Sequence, residues 1–484
     1  MSIIIHAHYI REVDLELEHF APDILFDSGT RNYFSLYKDG QKIGYKSEAL
    51  VYNPRALLYW EDTLVKMNLA GMSREVFIQS VVSIDSTRVL SQYLDFTLRS
   101  GSHVYSCKGI IQSDSLIIEV KNNIIFPWRK GVFIVDENTT FPGAIPYYMH
   151  RSDADTMDIS VFDPIVFEYN HVHTVREGRE TIQIKDERYD TVKYNLSLHG
   201  RKSSVWLDEN GRKVKSAGAM FFSGELGDID IERATDREVF MLPIEVSLGN
   251  DEIKSTAIYP DEPILDPRKT QYLEVRIDGI RAANIDVSAS NKEYLSSDPV
   301  IFGIHNRPLL KRGRKTLLVM RNAEMDTSIV GTSDYIQSKD ARIIRLARTI
   351  VESEPDTLTM ARAINRWVHD NMTMEQGLDI TRSIDILRTR RGFCDEYTKL
   401  CTAMLRSIGI PAQINMGLLY YDGAFRYHSW PSIYSEGVWH DLDPTLGQDT
   451  IDATHIALIS GDFERAVELL RVMGRMSISI LDCR

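Results

Sequence analysis

A chain of 484 residues is long enough for roughly three domains with buried cores. Apolar residues make up 43%, charged residues 26% and aromatics 9%, the balance of a globular protein and not of a disordered or fibrous one. The formal net charge of −13 repels a phosphate backbone, so no nucleic-acid partner is expected, and four cysteines without a CxxC pair offer neither a disulfide scaffold nor a zinc site.

No apolar run reaches the length of a membrane span, and the opening MSIIIHAHYIREVDLELEHF is too short in apolar residues for a signal core. The sequence reads as a soluble chain, with membrane attachment only through an anchor it does not contain. From Asn32 to Val319 short alternating runs are broken by turn dipeptides. Tyr33 to Tyr37 precede Lys38-Asp39-Gly40-Gln41, Val205 to Val214 bracket Asn210-Gly211, and Leu273 to Ile277 precede Asp278-Gly279. These runs predict a β-rich N-terminal region of two antiparallel β domains, 1–160 and 161–330. The division falls in a soft break from Ser152 to Pro164, where SDADTMDISVFDP lacks EF-hand spacing and reads as a solvated linker.

The period changes after Ser338. Ile343, Leu346, Ala347, Ile350 and Val351 recur at helical spacing, with Ser338 as the expected cap and Asp340 favoured by the dipole. A second helix follows Asp356-Thr357 with Met360, Ile364, Trp367 and Val368 on its buried stripe, and a third starts at Ser383. A fourth runs through Cys394, Tyr397, Cys401, Met404, Leu405 and Ile408 until Gly409 and Pro411 end it. Strands are predicted at Ala412 to Leu419, Ala424 to Tyr434 and Val438 to Leu442, separated by turns at Asp422-Gly423 and Glu436-Gly437. Helices followed by a hairpin sheet make residues 331–484 an α+β domain.

Cys394 falls in the first turn of the fourth helix, where unpaired N–H groups and the dipole favour a thiolate. Seven residues before Cys401, it shares that helix's inward face. With a two-residue loop at Glu436-Gly437, Trp430 faces Asp443 and His428 lies diagonally beside it, all on one face of the sheet. A three-residue loop would turn Asp443 away, and Asp441, one pair further off, ranks second. A cysteine, an imidazole and a carboxylate so placed are what nucleophilic acyl transfer requires. Singly, each residue has a plainer role: Cys401 reads as a small core hydrophobe, and Trp430 and Trp439 read as packing. Cys401 sits about 10 Å along the helix from Cys394, too far for disulfide exchange.

RRGFCDEYTKLCTAMLRSIGIPAQ, FRYHSWPSIYSEGVWHDLDPTLGQ and DATHIAL together resemble the transglutaminase-like cysteine enzymes, in particular the bacterial branch with β-rich N-terminal domains. The resemblance covers residues 335–484. It implies a papain-like, transglutaminase-like catalytic domain in which Cys394 is the nucleophile, His428 the base and later acid, and Asp443 the orienting carboxylate. It further implies a protein or peptide substrate, a possible amine acceptor, no cofactor and no metal, and a place outside the cytoplasm in a bacterial cell envelope. Phe393 and Tyr397 stand where related bacterial sequences often carry an acidic residue and a histidine. His455 matches a family position and is read as structural. The expected activity is thioester formation at Cys394 on a glutamine carboxamide or peptide bond, with hydrolysis favoured. Amine-transferring crosslinking and a catalytically silent envelope-binding scaffold are the alternatives.

Overall fold

The computed structural model describes residues 31–235 apart from 39, 54–55, 70–71, 86–90, 101–102, 113, 122–129, 136–138, 199–200 and 219–228, then 238, 257–281, 292–306 apart from 298, 329–375 and 382–484. The chain divides into two compact units, one of Met1–Met67 with Arg74–Val246 and one of Asn68–Ser73 with Ser247–Arg484.

Among the described residues the first unit carries a sheet of fifteen strands. The strands between Arg31 and Ile134 neighbour one another in sequence order, as do those between Thr139 and Ala234, and the two runs join where Arg31–Lys38 pairs antiparallel with Asp230–Ala234. Period-two patterning decides which side is core: in Ser115–Lys121 the buried residues are Leu116, Ile118 and Val120. The predicted Asn-Gly hairpin forms between Arg201–Leu207 and Lys213–Gly218, with Gly211 at φ 73° and the Asp208 carboxylate accepting from the Asn210 and Arg212 N–H groups. An ion-pair chain is also buried here: Lys46 reaches Glu61 at 2.7 Å and Glu48 at 3.0 Å, Lys213 reaches Glu48 at 2.8 Å, and the Tyr59 hydroxyl donates to Glu61.

The expected linker at Ser152 to Pro164 is corrected by the structure. Thr156–Asp163 is a strand, antiparallel to Glu168–Ile184, so position 160 lies inside one sheet. Met157, Ile159 and Val161 alternate with polar residues there, and that alternation outweighs the acidic composition.

In the second unit, β1 (Tyr272–Asp278) is flanked by β3 (Val300–His305) and by the C-terminal strand β8 (Ser477–Cys483), while β2 (Lys292–Ser297) pairs on the outer side of β3. Asp278-Gly279 therefore does not join β1 to a sequence-adjacent partner, as the hairpin reading required. This unit also starts well before residue 331, because β8 needs β1 to satisfy its backbone groups.

The four predicted helices are α1 (Ala341–Ile350), α2 (Thr357–Asn371), α3 (Ser383–Thr389) and α4 (Cys394–Ser407). The cap of α1 is Asp340, whose carboxylate accepts from the Arg342 N–H at 2.8 Å; Ser338 instead donates to the Gly331 carbonyl. On α2 the buried positions are Ala361, Ile364, Asn365 and Val368, with Met360 and Trp367 only half-buried. Every residue of α4 from Cys394 to Arg406 is buried, so this helix runs through the middle of the unit. It packs against a second four-stranded sheet in the order β6-β5-β4-β7, formed by β4 (Ala412–Tyr421), β5 (Ala424–Ser435), β6 (Val438–Asp441) and β7 (His455–Gly461). Both hairpin turns place two residues at positive φ, Asp422-Gly423 and Glu436-Gly437, which fits the right-handed twist of the strands they join.

Candidate active site

The β5–β6 turn fixes the site. Ser435 pairs with Val438 and Ser432 with Asp441, and the ladder continues one step as the Leu442 N–H donates to the Pro431 carbonyl at 3.0 Å. This is the register of a two-residue loop. Asp443 then lies beside His428, with His428 Nε2 2.9 Å from Asp443 Oδ2. Asp441 points elsewhere and accepts from the Asn415 amide at 2.7 Å.

Asp443 is wholly buried, and both its oxygens are filled. Oδ1 accepts from the backbone N–H groups of Thr445 at 2.7 Å and Leu446 at 3.2 Å, while Oδ2 accepts from His428 and, at 3.3 Å, from His455 Nε2. Burial alone would raise this carboxyl, but the charge and hydrogen bond of His428, together with those of His455, hold it well below the usual carboxylate range. A carboxylate only accepts, so Nε2 is the ring nitrogen that donates to Asp443, and Nδ1 is the one Asp443 does not engage.

His455 was not legible as part of this cluster. It is wholly buried on β7; its Nδ1 lies 3.1 Å from the Asp452 carbonyl and 3.5 Å from Asp452 Oδ1, and Asp452 is held in turn by Arg268 at 2.8 Å. Burial opposes the charge of this ring, yet its hydrogen bonds to Asp443 and Asp452 win and raise it to about 9. Trp430 braces both imidazoles, stacked on His428 with centroids 6.0 Å apart and edge-on to His455 at 5.1 Å. Trp430 is fully buried against Ile451 and Ala457, in line with the packing role expected of it, and Trp439 lies tilted against Tyr434 with centroids 5.4 Å apart.

Cys394 opens α4 behind an extended Phe393, whose N–H donates to Glu396 Oε2 at 2.8 Å in the manner of a capping box. The sulfur is buried and accepts the backbone N–H of Ser429, the residue after His428. Thr398 strengthens the same junction by donating its hydroxyl to the Ser429 carbonyl at 3.0 Å. The thiol itself departs from expectation. Burial, reinforced by the Asp395 and Glu396 carboxyls of the same turn, pushes Cys394 well above its ordinary value, and the Ser429 hydrogen bond offsets only part of this. A partial helix dipole is outweighed by desolvation and neighbouring charge, so the resting group is a thiol. Cys401 is buried as well and lies on the same helix.

His428, Asp443 and His455 bring one ligand atom each to within 4.8 Å of one another, the geometry of a possible metal site. Both Nε2 atoms lie within hydrogen-bond distance of Asp443, and a nitrogen that donates to this carboxylate does not at the same time ligate a metal.

Residues 344–444, which include Cys394, His428 and Asp443, match the family model of the transglutaminase-like superfamily. This segment is a transglutaminase-like domain. Over 126 residues, 22% of this chain and 19% of the relative, the sequence is 28% identical to the kyphoscoliosis peptidase of Mus musculus. The human protein of that name is 27% identical over 124 residues, again 22% of this chain and 18% of the relative. The chain thus spans about a fifth of the length of the curated relatives it matches. A solved structure described as a candidate cysteine protease from Cytophaga hutchinsonii is 14% identical and matches 44% of this chain and 87% of that one, with a TM-score of 0.27. The assignment of the transglutaminase-like domain rests on the matched segment and not on that likeness.

Proposed function

We propose that the transglutaminase-like domain is a cysteine acyl-transfer enzyme in which Cys394 attacks a glutamine carboxamide or peptide carbonyl, with hydrolysis as the main outcome. His428 Nδ1 takes the thiol proton as the sulfur attacks, and the resulting imidazolium gives it to the departing ammonia or amine, leaving a thioester on Cys394. Water then attacks the thioester, again through His428, and releases acid and free thiol. Asp443 orients the ring and stabilises its charged form. The backbone N–H of Cys394, at a helix N-terminus, is one donor for the oxyanion.

The observation that carries this reading is the contact between His428 Nε2 and Asp443, which leaves the other ring nitrogen to serve a cysteine anchored at the neighbouring Ser429. The preference for water over an amine is supported by the relatives, which bear the name peptidase. The test is mass spectrometry of a glutamine-containing protein mixture treated with wild type or Cys394→Ala, with and without a primary amine. Cut peptides or conversion of glutamine to glutamate are expected with the wild type alone. Amine adducts in their place would move the assignment to crosslinking, and identical products from both proteins would overturn it.

A further inference from the structure

The ring of His455 has no room for a neutral form. Its Nδ1 faces a backbone carbonyl, which only accepts, and its Nε2 faces the Asp443 carboxylate, which also only accepts. A neutral imidazole would set a buried lone pair against one of these oxygens, so both nitrogens carry protons and His455 is an imidazolium. The groups around it suit that charge. Asp443 and Asp452 lie on either side, Asp441 on β6 feels its field, and Arg268 pairs with the far oxygen of Asp452. Lys292 on β2 donates to the Ala457 carbonyl nearby, and His428 on β5 is the only other imidazole in the cluster, its centroid 5.9 Å away.

We propose that His455 is a positioning residue of the reaction, an imidazolium at neutral pH that pins Asp443 Oδ2 toward His428 and shares the carboxylate with it. This rests on the reading of Cys394, His428 and Asp443 as the reacting set. A buried carboxylate paired with one imidazole alone stabilises that imidazole's protonated form, and a His428 already protonated is no base. The second imidazolium divides the attraction. A positive charge whose ring centroid lies 5.9 Å away opposes a second positive charge on the neighbouring ring. The geometry also explains why one oxygen is shared: β4 carries Gly417 opposite His428, and a Cβ there would lie 2.1 Å from the Ile456 carbonyl, so β7 comes close enough for His455 to reach the carboxylate.

The rate of Cys394 alkylation by iodoacetamide, followed against pH by mass spectrometry, reads the proton affinity of His428 without a substrate. In His455→Gln, which keeps a neutral N–H donor and loses the charge, the acid limb of that profile moves to higher pH, and the rate recovers above it. A lower rate at every pH with the limb in place would mean that His455 only packs, and would overturn the proposal. Should His455→Gln fail to fold, the wild-type chain with ¹⁵N-labelled histidine decides: His455 with both ring nitrogens protonated at neutral pH supports the assignment, and a single tautomer overturns it. A His428→Ala variant alkylated at the wild-type rate would instead count against the reacting set itself.

Discussion

Replacing Asp443 by Asn tests the electrostatics of the whole cluster, because this carboxylate answers four donors and an amide can answer only two. Its Oδ1 takes two backbone N–H groups and its Oδ2 takes two imidazoles, whichever way the new amide is turned. One pair of donors must therefore meet an NH₂ group, and the buried His455 loses one of its two counter-charges. Breaking a buried ion pair from one side costs about 3–5 kcal/mol, and loss of the orienting acceptor for His428 lowers turnover by about 10³ to 10⁴. The stability cost is also pH-dependent, with a definite sign. His455 is raised from 6.5 to about 9 in the folded chain, so its contribution is complete below its ordinary value and is lost as pH climbs through 9. At about 1.4 kcal/mol per pH unit this amounts to roughly 3 kcal/mol, of which Asp452 retains a share in the variant. Asp443 itself, held well below its ordinary range, loses its contribution only in strong acid, outside this window. Urea unfolding of wild type and Asp443→Asn near pH 6, 8 and 10 should thus give a gap that narrows as pH rises. A gap that is constant, or that widens toward alkaline pH, refutes the imidazolium at position 455 and with it this account of the site.

Asp441→Asn separates the two carboxylates of the hairpin: Asp441 is pushed up to about 6 by burial and accepts from Asn415, so the variant keeps turnover of wild-type order, and a loss comparable to that of Asp443→Asn would reassign the orienting role. Gly417→Ala drives a Cβ into the Ile456 carbonyl at 2.1 Å, which should cost about 2 kcal/mol or more in urea unfolding and slow Cys394 alkylation by displacing β7; a variant as stable and as reactive as wild type contradicts the close strand approach. Glu396 is raised by burial with help from Asp395, so ionising it costs more in the folded chain than in the unfolded one. Its contribution is therefore unfavourable above its ordinary value, and Glu396→Gln should gain stability over wild type as pH rises from about 5 to 8; a gap that shrinks over that range goes against the assignment.

The hairpin sheet of the second unit was legible because each of its turns declares itself. Asp422-Gly423 and Glu436-Gly437 supply paired positive φ angles, and once the loop length is fixed, side-chain parity carries His428 and Asp443 to the same face. The helices were legible from period and caps, although Ser338 and Asp340, two positions apart, differ in which side chain reaches the free N–H groups. The long sheet of the first unit was legible strand by strand and not as a whole. Its closing contact pairs Arg31–Lys38 with Asp230–Ala234, nearly two hundred residues apart, and no local signal specifies such a pairing. At Thr156–Asp163 the acidic composition suggests a linker while the alternation of Met157, Ile159 and Val161 specifies the strand that forms.

His455 was missed for the same physical reason as the long sheet. It reaches Asp443 across the β4–β7 pairing, whose register shifts at Met416 and Gly417 and is not set by any turn between the two strands. With that residue in place, the path of the proton follows from which acceptors are already taken. Asp443 has no free lone pair to receive a proton from His428, and two imidazoles and two backbone amides hold it against rotation. In the proposed reaction it therefore acts as a fixed charge and not as a relay, and the proton drawn from Cys394 stays on His428 Nδ1 until it is handed to the leaving group. A thiol raised by burial rather than lowered by the helix dipole fits this order of events, since the charge on sulfur is needed only at the moment His428 can accept its proton.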